Sequence, residues 1–162
     1  MQESQLRDLV ANGLPKLATS ALTGTYPMGF TAKVMPSRDH LLDSQVVGNQ
    51  LIYTKNIQIC AFLTMDSGLI VRLGQLAFPK HSRLEIPKMV IAANGEALNV
   101  VMSKLAYLIG KVDGDEDATI APPIMINCSG IDRRVIMGGD SIFLSLSYME
   151  ISMLLIASIQ MV

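Results

Sequence analysis

From Lys88 to Ile109 the chain follows a long helical pattern with one apolar stripe, and that stripe needs a surface to cover it. On a wheel of about 100° per residue, Ile91, Leu98, Val101, Met102, Leu105 and Ile109 fall together. Ala92, Glu96, Asn99 and Ser103 fall on roughly the opposite side, and Val100 and Tyr107 also lean outward. Gly110 is the expected stop of this helix. A second helical pattern covers residues 4–22 through Leu6, Leu9, Val10, Leu14, Leu17, Ala18 and Ala21, with Gly13 and Pro15 predicting a kink or a double start. The covering surface is supplied by strand candidates at Phe30–Val34, Gln50–Tyr53, Ile57–Met65, Leu69–Leu73, Ile124–Cys128, Arg133–Met137, Ser141–Tyr148 and Ile151–Met161. Asp66-Ser67-Gly68 is read as a hairpin turn joining two of them, and Gly138-Gly139-Asp140 as another tight turn. Pro79 and Pro87 limit any helix between Gln75 and Lys88 to about one turn. The expectation is one α+β domain over residues 1–162, an antiparallel sheet packed against the long helix and an N-terminal helix.

Composition narrows the function classes. With 162 residues, half of them hydrophobic and 17% charged, the chain suits a folded domain with a real core. A net charge of -1 and the absence of Trp leave no basic footprint and no stacking platform for nucleic acid. Cys60 and Cys128 lie in apolar segments and read as reduced core thiols, and with just His40 and His81 besides, zinc is not expected. Asp113, Asp115 and Asp117 resemble the start of a calcium loop, but Ala118 stands where that loop needs Gly and Ile124 where it needs Glu. His40 beside Asp39 has no nucleophile in any recognisable arrangement, and His81 falls in an exposed basic turn. The eleven methionines read as core filling. The N-terminus lacks the layout of a signal peptide, and the apolar run from Ile151 is too short to span a bilayer, so the expected location is the cytoplasm.

The chemistry-bearing feature is Glu96-Ala97-Leu98-Asn99, followed after residues 100–121 by Pro122. At i, i+3 spacing on a helix, a carboxylate and a carboxamide reach the same partner. The carboxylate can hold a cation, and the amide can orient a water with a donor and an acceptor. By itself Glu-x-x-Asn is what solvation alone puts on an outer helix face. Two observations favour more: Asn is a mediocre helix former at mid-helix, and Val100 and Tyr107 also lean outward, as on a face that another surface covers.

These residues resemble the CheC/CheX-type phosphatases of bacterial chemotaxis, which dephosphorylate the response regulator CheY. That family's motif is Asp or Ser, three residues, Glu, two residues, Asn, and a Pro about twenty-two residues on. Glu96, Asn99 and Pro122 fit it, as do Gly95 and the Pro122-Pro123 that lead into a strand ending at Ser129-Gly130. Ala92 stands where the motif has Asp or Ser, and a single Glu-x-x-Asn places the chain nearer the CheX branch than the two-motif CheC branch. The segment before the motif helix is short and proline-marked, where the family has a helix.

The resemblance implies a phosphatase with catalytic residues Glu96 and Asn99 and no cofactor or metal of its own, acting on a CheY-like receiver domain. The receiver would bring its phosphoryl-aspartate, Mg2+ and lysine; Glu96 would pair with the lysine, and Asn99 would align a water. It also implies a homodimer. The alternative is a non-catalytic signalling adaptor or flagellar-switch-like binding module of the same fold, to which Ala92 and the missing second motif point.

Overall fold

The long amphipathic pattern becomes a 28-residue helix, and the strands form the sheet that receives its apolar face. The computed structural model describes residues 2–35, 46–114, 118–127 and 140–162. In chain order the elements are α1 (Glu3–Thr25), β1 (Thr31–Met35), β2 (Val46–Tyr53), β3 (Ile57–Met65), α2 (Ser67–Ala77), α3 (Ile86–Asp113), β4 (Thr119–Ile120), β5 (Ile124–Asn127), β6 (Asp140–Tyr148) and β7 (Ile151–Met161). Among the described residues the strands make one sheet in the order β1-β6-β7-β3-β2-β4, with β5 also paired to β2. Every pairing is antiparallel. The fold is α+β, as expected.

β7, the apolar run from Ile151, is an inner strand between β3 and β6. One face of the sheet, through residues such as Ile59, Ala61, Leu144 and Leu155, packs with Leu6, Val10 and Leu14 of α1 and Leu98, Met102 and Leu105 of α3. The other face carries a smaller cluster of Phe62, Ile156 and Phe143, direct neighbours across β3, β7 and β6. Among the described residues, no helix is long and apolar enough to cross a membrane.

Three expectations are corrected. Leu69–Leu73 is not a strand but part of α2, so the sheet carries three helices rather than two. The Asp66 side chain caps α2 by accepting from Gly68 N at 2.7 Å, and Ile70, Leu73 and Gly74 are buried at i, i+3, i+4. A Cβ on Gly74 would stand 2.1 Å from Ile86 Cγ2 and 3.0 Å from Val90 Cγ2, so the close approach of α2 to α3 requires glycine there. The hairpin partner of Ile57–Met65 is instead the preceding strand β2. Secondly, α3 does not stop at Gly110, which remains helical and buried; it ends at Gly114, whose φ of 71° is left-handed and whose N–H donates to Gly110 O. Thirdly, of the kink or double start expected at Gly13 and Pro15, the double start is set aside, since α1 is one helix through both.

The proline-marked stretch sits where it was expected, between Ala77 and the first turn of α3, where Pro87 lacks an N–H the helix would not use. Among the singled-out residues, Ser37 to His40, Cys128 to Gly130, Arg133 to Gly139 and Asp115 to Asp117 lie outside the described residues.

Candidate functional site

α3 is held by both of its inner edges, and this decides what its other residues can present. Near its start, Asn94 is buried and its Oδ1 lies 2.7 Å from the Tyr26 hydroxyl, which also approaches Val90 O at 3.2 Å. This ties α1 to α3, and burial pushes the Tyr26 hydroxyl well above its ordinary pKa. At its end, Asp113 accepts from Thr54 Oγ1 at 2.8 Å and from Asn56 Nδ2 at 3.3 Å, which joins the helix to the β2–β3 turn. The first carboxylate of the acidic tract is thus a structural tie. Among the described residues, no group of three His, Cys, Asp or Glu could hold a metal ion.

Between these anchors the expected pair occupies one turn of α3. Glu96 is exposed, as are Ala92 and Ser103, while Asn99 is half-buried. The wheel puts Asn99 on roughly the outward side; the structure places it at the border where α3 meets β2. Its Oδ1 accepts from Gln50 Nε2 at 2.8 Å. Gln50 lies on the α3 side of β2, 1% exposed, and the same Nε2 donates to the Ala121 carbonyl at 2.9 Å. Ala121 in turn donates its N–H to Leu51 O at 2.9 Å. Pro122, the last position of the sequence motif, therefore follows the residue that contacts Gln50. Gln50 Oε1 is buried without a hydrogen-bond partner. Neither Gln50 nor Ala121 was singled out from the sequence. The available signal was a polar residue at an inward position of β2, between buried Gly48 and Ile52.

Further along the stripe, Ser103, Ala106, Tyr107, Gly110 and Lys111 line an open cleft of about 510 Å³ with Ala118 and Ile120. Tyr107 is 71% exposed there, and Val100 is also exposed. The open cleft thus begins at Ser103, on the same helix and C-terminal to Glu96 and Asn99, which do not line it. The other candidates lie elsewhere. His81 is exposed in the turn after α2, where its ring meets Phe78 edge-on. Cys60 is a free thiol on β3 whose pKa is pushed up by burial.

No family model matches the sequence, and no curated protein matches it. Solved structures do. The chemotaxis protein CheX from Vibrio vulnificus superposes with a TM-score of 0.69 at 17% identity, over 92% of this chain and 97% of that one. A chain of the CheX-CheY-BeF3-Mg+2 complex from Borrelia burgdorferi gives a TM-score of 0.71 at 12% identity, over 92% and 96%. FliY from Thermotoga maritima gives 0.63 at 16% identity, over 96% and 91%. The chain has the CheC/CheX-like fold.

Proposed function

We propose that this chain is a phosphatase that accelerates hydrolysis of the phosphoryl-aspartate on a CheY-like receiver domain. The observation that carries the reading is the pairing of an exposed Glu96 with a hydrogen-bonded, half-buried Asn99 on one turn of α3. In the reaction, a water oxygen attacks phosphorus in line with the bond to the aspartyl oxygen. That bond breaks, the aspartate carboxylate is restored, and the proton balance closes on inorganic phosphate. The receiver's Mg2+ neutralises phosphoryl charge, so positioning is what remains for this chain to supply. Glu96 accepts from the receiver's lysine and fixes the docked orientation. Asn99 holds the attacking water. An exposed ion pair contributes about 1 kcal/mol or less, so Glu96 acts mainly once docking excludes solvent. The chain works in the cytoplasm as a homodimer in this reading, which a dimer mass in light scattering supports and a monomer mass removes.

The test uses the receiver domains encoded by the same genome, each phosphorylated with acetyl phosphate and then freed of it. The chain should speed release of phosphate from one of them. Asn99→Ala should abolish that acceleration while sparing complex formation, and Glu96→Ala should weaken complex formation as well. Retention of full activity by both variants overturns the mechanism. A second reading has its own support: Ala92 departs from the motif, and FliY shares the fold. Binding of a receiver without faster hydrolysis would identify a non-catalytic adaptor or switch module.

A further inference from the structure

A carboxamide can turn by 180° and exchange its donor end for its acceptor end with little change in shape. For Asn99 that choice decides what it offers a phosphoryl group, and the surrounding hydrogen bonds make the choice. The Ala121 carbonyl can only accept, so Gln50 presents its NH2 to it, at 2.9 Å. The same NH2 reaches Asn99 at 2.8 Å, so Asn99 must present Oδ1 inward. Its Nδ2 is left as the outer end. Reversing Gln50 would set Oε1 against the Ala121 oxygen, two acceptors with no proton between them. The existing arrangement instead leaves Gln50 Oε1 buried without a protein partner.

Pro122 enters at the far end of this chain of contacts. Its side chain is exposed, so core packing does not explain it. A proline does, however, disfavour the helical conformation for the residue before it. Ala121 is thereby restricted on one side by Pro122 and pinned on the other by its N–H bond to Leu51 O, which holds its carbonyl toward Gln50.

We propose that Gln50 and Pro122 are positioning residues: through the Ala121 carbonyl they set the Asn99 amide so that Nδ2 faces the phosphoryl group and its attacking water. A donor there can hold the water oxygen, whereas an acceptor in its place would face anionic phosphoryl oxygens. The inference deepens the phosphatase reading and rests on it.

The experiment combines kinetics on a phosphorylated CheY-type receiver with ¹⁵N relaxation of the Asn99 side-chain NH2 in the free protein. Gln50→Met keeps the volume and removes the donor. It should lower kcat about tenfold with KM within about twofold, because the loss is one of alignment rather than docking. The Asn99 NH2 should be ordered in the unaltered protein and mobile in the variant. Pro122→Ala should move both readouts the same way and less far. An unchanged kcat in folded Gln50→Met overturns the proposal. So does an Asn99 NH2 that is already mobile in the unaltered protein, a result that needs no variant to fold. Failure of the unaltered protein to accelerate hydrolysis on any receiver instead overturns the phosphatase reading, and the relaxation result still reports on the Gln50 contact. A fully active Asn99→Ala removes Asn99 from the reaction and the proposal with it.

Discussion

Two asparagines five positions apart on α3 have opposite surroundings. Asn94 is closed in: it is 2% exposed and bonded to a Tyr26 that is itself fully buried, so the pair serves to join two helices. Asn99 is half open: its Oδ1 meets Gln50, Gln50 keeps an oxygen without a protein partner, and the residue is only half-buried. A fully satisfied polar network adds rigidity and specifies packing, whereas one left incomplete is better explained by what it does. On the phosphatase proposal, the contrast separates a residue kept for stability from one kept for chemistry, although both are Asn on the same helix.

The same truncation at the two sites should break the molecule in different ways. Asn99→Ala should have the largest effect, a loss of about a hundredfold in dephosphorylation, which corresponds to about 2.7 kcal/mol of barrier, with little change in the urea midpoint. Tyr26→Phe should do the reverse: it strands the buried Asn94 oxygen and should cost about 1–3 kcal/mol in urea unfolding, while leaving the rate per folded molecule alone. If Tyr26→Phe slowed the reaction as much as Asn99→Ala did, the division between the two networks would fail.

The smallest effect is one of pH. The hydroxyl of Tyr26 is raised in the folded state above its ordinary value of 10.0, so the unfolded chain ionises first. The stability it contributes is complete below pH 10 and drains away as pH rises from there toward the folded value. Unfolding followed at increasing pH should show Tyr26→Phe losing less stability above pH 10 than the parent chain, and parallel curves would count against the assignment.

The long strands were legible because alternation over many residues leaves little choice of register. β3 and β7 begin and end where the apolar pattern does, and β6 begins one residue earlier than expected. Leu69–Leu73 departs from the strand expectation because a five-residue segment with four apolar side chains around Arg72 fits a strand or a helix equally well. The cap at Asp66 and the contact of Gly74 with Ile86, a tertiary fact, decide it. α3 overran Gly110 for a related reason: a glycine can stay helical when packing favours it, and Gly114 was free to take the left-handed turn. Glu96, Asn99 and Pro122 could be found by spacing. Gln50 could not, since its role depends on a strand and a loop meeting the helix from distant parts of the chain.

The prolines after β4 have one more consequence. β4 and β5 both pair with β2 and form the rim of the sheet on that side, with Pro122 and Pro123 between them. Neither proline has an N–H to offer, so an extended segment from another molecule meets a gap in the rim where a continuous ladder would be needed. The position proposed to order Asn99 thus also makes this rim a poor template for strand-by-strand growth.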